Sequence, residues 1–129
     1  MRFLHTSLTV RDMEESLRFY TEALGLVADG RRTIPENRAE IAFVRDPQSG
    51  VRVELTRWEG KTTFEPGEQL DHLAFEVADL DATLSDLRRR GVKVAKEPFR
   101  LAGGSGRLAF VLDPNDVWIE LIEHAAPSR

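Results

Sequence analysis

Apolar and polar residues alternate along several short segments of the chain, and a two-residue period is typical of strands that bury one face. In residues 2–10, Leu4, Leu8 and Val10 share one face, and His5 lies on the other. Similar segments follow in the first half of the chain, near residues 26–33, 39–45 and 51–57. The pattern therefore predicts four strands in the first half.

A segment with helical periodicity lies between the first and the second of these strands. Its apolar stripe repeats every three or four residues and consists of Met13, Leu17, Tyr20 and Leu24. Asp12 is a suitable N-cap, and Gly25 can end the helix because glycine readily adopts a left-handed conformation. The first half is thus predicted to have the order βαβββ.

The second half shows the same order of elements. It begins with a strand over residues 70–77 and a helix from Asp79 to Arg90, which Gly91 ends. Three more strands are predicted, near residues 92–96, 107–112 and 117–123. The element pattern of the first half therefore occurs twice.

Individual residues repeat as well, at an offset of 67 that pairs His5 with His72. Other residues in this register form the pairs Asp12 and Asp79, Leu17 and Leu84, Ala42 and Ala109, Phe43 and Phe110, Val44 and Val111, Asp46 and Asp113, and Pro47 and Pro114. Glu54 and Glu120 pair at an offset of 66 because the first hairpin loop is one residue longer. A register kept over about fifty residues indicates an internal duplication.

The predicted fold class is α+β. We expect a single domain over residues 1–129, made of two tandem βαβββ repeats at 1–64 and 68–125. Each repeat would form a mixed four-stranded sheet with one helix on one face, which leaves the other face open. Two such curved sheets can place their open faces around a cleft.

Polar side chains that can bind a metal are predicted on these open faces. By alternation, they lie opposite the apolar residues of their strands, and they are His5, Glu54, His72 and Glu120. Two imidazoles and two carboxylates suit a first-row divalent cation and balance its charge. Four protein ligands would leave about two positions of an octahedral ion open for a substrate.

Composition excludes several other kinds of function. The chain has no cysteine, so disulfides, thiolate metal sites and a cysteine nucleophile are ruled out. Its net charge of −4, with charges interspersed, does not predict binding to nucleic acid or to an anionic membrane. No apolar run approaches the roughly 20 residues of a membrane helix, and the N-terminus lacks the apolar region of a signal peptide. We therefore expect a cytoplasmic protein.

Four segments carry a family resemblance: MRFLHTSLTVRDMEESLRFYTEALGL, VRVELT, DHLAFEV and GRLAFVLDPNDVWIELIEH. In them the chain resembles glyoxalase I (lactoylglutathione lyase), a member of the vicinal oxygen chelate superfamily that also contains bleomycin resistance proteins and dioxygenases. The resemblance implies one divalent ion per site, Ni²⁺, Co²⁺ or Zn²⁺ with Mn²⁺ or Fe²⁺ also accepted, bound by His5, Glu54, His72 and Glu120. It also implies a homodimer in which repeats of two chains pair, so the four ligands can come from one chain or from both.

The implied reaction converts a thiol–methylglyoxal hemithioacetal into a lactoyl thioester through a metal-bound enediolate. The resemblance assigns the general base to Glu120, and Glu54 can share this role because the repeats are nearly equivalent. Trp118 is expected on the same face as Glu120, where it can either line the substrate pocket or serve in packing.

Three residues depart from the pattern of bacterial glyoxalase I. Thr9 stands in place of an arginine, Trp58 in place of an asparagine, and Ala102 in place of a lysine, and the resemblance associates all three positions with glutathione. Arg100 and Arg107 are candidates to bind a small-molecule substrate such as a glutathione adduct instead. Two alternatives stay open: another metalloenzyme of the superfamily, epimerase or dioxygenase-like, acting on a non-glutathione substrate, or a non-catalytic small-molecule binding or resistance protein.

Overall fold

A computed structural model describes residues 5–35, 38–65, 70, 72–100 and 106–124. The start of the first predicted strand and Ala102 lie outside the described residues. The chain divides into two compact units, Met1–Glu65 and Pro66–Arg129. In the described ranges, no helix is both long enough and apolar enough to cross a membrane.

The first unit is a mixed four-stranded sheet with one helix. Its strands are β1 (Thr6–Thr9), β2 (Val27–Ile34), β3 (Ala39–Arg45) and β4 (Arg52–Trp58), and its helix is α1 (Met13–Arg18). The strands lie side by side in the order β1-β4-β3-β2. Strands β1 and β4 are parallel, whereas the other neighbours are antiparallel. This parallel pair is the part of the sheet that holds the candidate site.

The helix of the first unit is capped as the sequence predicts. The Asp12 side chain accepts a hydrogen bond of 2.9 Å from the backbone N–H of Glu15, which satisfies one of the free donors of the first turn. Gly25 follows the helical segment with φ of +78°, a conformation that glycine adopts without steric strain.

The end of this helix differs from the prediction. Residues Phe19–Ala23 form a π-helical turn in which Leu24 N–H donates to the Phe19 carbonyl, five residues back. The additional residue in the turn rotates the side chains, so the adjacent Phe19 and Tyr20 are both buried. Leu17 and Leu24, expected in the buried stripe, are only half-buried.

The second unit repeats this architecture. It contains β5 (His72–Glu76), α2 (Leu80–Arg89), β6 (Val94–Phe99), β7 (Arg107–Leu112) and β8 (Trp118–Glu123). Its strands lie in the order β5-β8-β7-β6, again with one parallel pair, β5 and β8. Asp79 caps α2 by accepting a hydrogen bond of 3.0 Å from the N–H of Ala82. Strand β6 extends to Phe99, three residues beyond the predicted end. It is an edge strand, so it tolerates Pro98, which has no N–H to donate.

Each unit buries the face of its sheet that the alternation marks as apolar. On this face the buried strand residues are Leu8, Ala42, Val44, Val53 and Leu55 in the first unit, and Ala109, Val111, Ile119 and Leu121 in the second. The prediction of an α+β fold with two βαβββ repeats is therefore confirmed. The extent of the single domain over residues 1–129 stays a prediction.

Candidate metal centre

His5 and Glu54 form a pair at the parallel edge of the first sheet. His5 directly precedes β1, and Ser7 in that strand lies opposite Glu54 in β4. The imidazole Nε2 of His5 is 3.5 Å from Oε2 of Glu54. This distance exceeds the usual 2.7–3.2 Å of an N–H···O hydrogen bond, so the two groups face each other without being bonded.

Phe43 supports this pair from the neighbouring strand β3. Its ring meets the His5 imidazole edge to face, with ring centroids 5.1 Å apart. The Arg52 guanidinium lies 4.0 Å from the centroid of the Phe43 ring and is paired with Asp29 at 3.0 Å. Phe43 therefore limits the positions that the imidazole can take.

Two hydroxyl groups contact the carboxylate of Glu54. Its Oε1 accepts a hydrogen bond of 3.1 Å from the Ser7 hydroxyl and one of 3.0 Å from the Thr56 hydroxyl. We did not predict these contacts from the sequence. The signal was present, because alternation puts Thr56 on the face of Glu54 and Ser7 on the face of His5.

His72 and Glu120 form the corresponding pair in the second unit. The imidazole Nε2 of His72 is 3.4 Å from Oε2 of Glu120. The ring of Phe110 meets His72 edge to face at 5.9 Å, and the Trp118 ring packs on Phe110 at 5.1 Å. Phe110 thus repeats the role of Phe43, while Trp118 occupies the place that Arg52 has in the first unit.

The two pairs fit the donor set that a divalent cation requires. Two donor atoms that each lie about 2.1 Å from a common ion are about 3.0–3.5 Å apart, which matches the separation within both pairs. Within the described residues, no group of three or more His, Asp or Glu side chains forms a metal site. Each unit therefore provides two donors of the four that the sequence predicts.

A pocket of about 270 Å³ opens beside Glu54 on the same face of the first sheet. Its lining residues come from all four strands of the unit and are Ser7, Thr9, Arg32, Ile34, Ala39, Ile41, Glu54, Thr56 and Trp58. Sequence reasoning did not identify Arg32, whose place in the pocket depends on the pairing of β2 with β3. In the described part of the chain, no acidic side chain forms an ion pair with Arg32.

The other residues predicted to bind substrate lie in different environments. Arg107 donates hydrogen bonds to Asp81 and Glu123, and these contacts raise the pKa of its guanidinium above the ordinary value. It lies on the face of the sheet that carries α2, since Ala109 shares its side of β7. Arg100 is exposed just after β6. The structure thus does not bring Arg107 together with the His72 and Glu120 pair.

The two tryptophans lie on the open faces of their sheets. Trp118 is 42% exposed and Trp58 is 40% exposed, so neither is a core residue of its unit. Both are therefore available to contact a substrate or another protein surface.

Comparisons with known proteins show the family to which the chain belongs. A family model described as the Glyoxalase/Bleomycin resistance protein/Dioxygenase superfamily matches residues 2–121. The probable lactoylglutathione lyase of Vibrio parahaemolyticus is 36% identical over 129 residues, which cover 98% of this chain and 94% of that protein. Further curated relatives that are 34–37% identical also carry the name lactoylglutathione lyase.

Solved structures give the same result. The trypanothione-dependent glyoxalase I of Leishmania major superposes with a TM-score of 0.80 at 32% identity, covering 95% of this chain and 86% of that one. Glyoxalase I from Zea mays superposes with a TM-score of 0.85 at 29% identity, covering 97% of this chain but only 45% of that one. Both the sequence and the fold thus confirm the resemblance, and the chain belongs to the Glyoxalase/Bleomycin resistance protein/Dioxygenase superfamily as an enzyme of the glyoxalase I type.

Proposed function

We propose that the protein isomerises the hemithioacetal of methylglyoxal and a thiol to a lactoyl thioester at a divalent metal centre. The metal ligands would be His5, Glu54, His72 and Glu120. The observation that carries this proposal is the recurrence of one His–Glu pair, at 3.5 Å in the first repeat and 3.4 Å in the second, within a family of lactoylglutathione lyases.

A complete site requires two pairs, and we propose that a homodimer supplies them. The Zea mays chain, of which this chain covers 45%, is long enough to contain the repeats of two such chains. A dimer of the shorter chain would provide the same number of repeats. Two sites per dimer correspond to one metal ion per chain.

The protein's own carboxylates would move the proton. The bound cation would withdraw negative charge from the two vicinal oxygens of the substrate. Glu120 would remove the proton from the carbon that carries sulfur and return it to the neighbouring carbon, first as general base and then as general acid. The reaction is an isomerisation, so no other reactant is needed.

The pocket beside Glu54 would hold the thiol part of the substrate. Arg32 offers a cation there without a competing acidic partner among the described residues, and a carboxylate-bearing thiol such as glutathione would match it. The relative from Leishmania major is described as trypanothione-dependent, so members of the family differ in the thiol they use. Thr9 and Trp58, which line this pocket, would set the shape that the thiol must fit.

A metal-by-metal assay tests this function. Metal-free protein is loaded with nickel, cobalt, zinc or manganese and is mixed with methylglyoxal and glutathione, and thioester formation is followed by ultraviolet absorbance. We expect turnover with at least one metal, none without metal, and about one ion per chain by elemental analysis. Protein that binds one ion per chain but forms no thioester with any metal would contradict the proposed reaction.

Thr9 and Trp58 also favour a second candidate, a metalloenzyme of the same superfamily that acts on a substrate other than a glutathione adduct. An epimerase or a dioxygenase-like enzyme would use the same metal ligands. In that case the metal content would be retained, while the thioester assay would fail with glutathione.

A further inference from the structure

The two carboxylates of the proposed site are buried to a similar extent and lie at similar distances from their histidines, but they differ in hydrogen-bond donors. The side chains of Glu54 and Glu120 are 19% and 17% exposed, and each lies opposite the Nε2 of its own histidine. Burial and the histidine contact therefore do not distinguish them. The two carboxylates are distinguished by the hydrogen bonds that Glu54 accepts from the hydroxyl groups of Ser7 and Thr56.

The pairing of β1 with β4 positions the two hydroxyl groups that contact Glu54. Ser7 lies directly opposite Glu54 across the parallel pair β1 and β4, and Thr56 lies two residues further along β4 on the same face. Their oxygens are 3.1 Å apart, and both contact Oε1 of Glu54. Because Oε2 faces His5, a rotation of the Glu54 carboxylate would break contacts at both oxygens.

The second repeat has no hydroxyl at either place. Ala74 lies opposite Glu120 across β5 and β8, and Ile122 lies two residues further along β8. In the described ranges, the Glu120 carboxylate pairs with His72 and accepts no hydrogen bond from a hydroxyl group. The Glu120 carboxylate can therefore rotate without breaking a hydrogen bond to a hydroxyl.

We propose that Ser7 and Thr56 are positioning residues that hold Glu54 as the stationary carboxylate of the site. Their counterparts Ala74 and Ile122 leave Glu120 as the carboxylate that moves to take up and return the proton. This inference rests on the proposed function for the identity of the reaction. The asymmetry itself is a property of the chain, and it concerns metal binding as well as turnover.

The duplication allows a matched experiment. One variant removes the hydroxyls from the first repeat (Ser7→Ala with Thr56→Val), and the mirror variant adds them to the second (Ala74→Ser with Ile122→Thr). A third variant, Ser7→Thr with Thr56→Ser, retains both hydroxyls and serves as the rescue. Affinity for nickel and for zinc is measured by competition with a chromophoric chelator, and kcat and KM are measured separately.

We expect the two variants to affect different quantities. Removal of the hydroxyls should weaken metal affinity about tenfold, the range found when groups that orient metal ligands are lost, and the rescue variant should restore it. Addition of hydroxyls beside Glu120 should not weaken metal affinity but should lower kcat about tenfold at unchanged KM. Ala74→Ser alone, at an exposed position, should show part of this loss even if Ile122→Thr disturbs folding.

The opposite results would overturn the inference. One such result is an unchanged metal affinity in the variant that lacks the hydroxyls of Ser7 and Thr56. The other is an unchanged kcat in the variant that has hydroxyls added beside Glu120. Failure of the proposed function can be distinguished from failure of this inference, because the metal titrations need no substrate. If no thioester forms with any metal, the shift in metal affinity in the first variant and its rescue still decide the role of Ser7 and Thr56.

Discussion

His72 Nε2 lies 3.4 Å from Glu120 Oε2, across the parallel strands β5 and β8. The same contact recurs at 3.5 Å in the first unit between His5, which directly precedes β1, and Glu54 in β4. Parallel pairing of the first and last strands of each repeat brings together residues that are 48 or 49 positions apart in the sequence. The duplicated fold is thus the physical reason that the chain carries two His–Glu pairs of matching geometry.

Replacement of Glu120 should have the largest effect on turnover. Glu120→Gln keeps the size of the side chain but removes its ability to accept the substrate proton, and general base catalysis typically contributes about 10²- to 10⁴-fold. We therefore expect kcat to fall by at least about 10²-fold, with the circular dichroism spectrum unchanged. Full activity of this variant would assign the base to another residue, and Glu54→Gln provides the matched comparison.

The histidines should determine metal content. His5→Gln and His72→Gln each remove one nitrogen donor, so we expect metal stoichiometry or affinity to fall by at least about tenfold. His124→Gln is the control, since His124 is 66% exposed on its side chain and pairs only with the exposed Glu76 among the described residues. Equal metal content in all three variants, measured by elemental analysis after dialysis, would remove His5 and His72 from the site.

Arg32 should contribute to substrate affinity. A hydrogen bond between a guanidinium and a substrate carboxylate is worth about 1.5–3 kcal/mol, so Arg32→Gln should raise KM for the glutathione adduct about tenfold or more. The matched control is Arg31→Gln in the same strand, because Arg31 faces the other side of β2 and pairs with Glu14 and Glu40. A thiol without carboxylates should not distinguish Arg32→Gln from the unmodified protein. An equal rise in KM for Arg31→Gln would show that the effect is not local to the pocket.

The two helix caps should contribute similarly to stability. Asp12→Ala and Asp79→Ala each remove a side-chain acceptor for the first turn of a helix, at 2.9 Å and 3.0 Å respectively. We expect each to lower the free energy of unfolding by about 1 kcal/mol, measured by urea denaturation. Asp→Asn at the same positions should preserve most of the stability, because asparagine caps helices about as well. If the Asn variants lose as much stability as the Ala variants, the charge of the aspartate, and not its hydrogen bond to the helix, would be the source of the stabilisation.

Local patterns of residues were sufficient to predict the elements and their faces. Alternation identified the buried faces of the strands, and Asp12 and Gly25 marked the ends of the first helical segment. Alternation also puts Arg107 on the helix side of its strand with Ala109 and Val111. The expectation that Arg107 binds substrate beside Glu120 therefore conflicts with a pattern that is visible in the sequence.

Other features depend on contacts between residues far apart in the chain, which local patterns do not encode. The π-helical turn at Phe19–Ala23 buries two adjacent aromatic side chains, which a regular helical period does not predict. The position of Arg32 in the pocket depends on a register shift between β2 and β3 near Gly30, and the hydroxyl pair on Glu54 depends on the alignment of β1 with β4. The periodicity of the chain determines which way each side chain points. Its neighbours are decided only when strand pairing sets the register, because a change of one residue in register would replace every cross-strand contact.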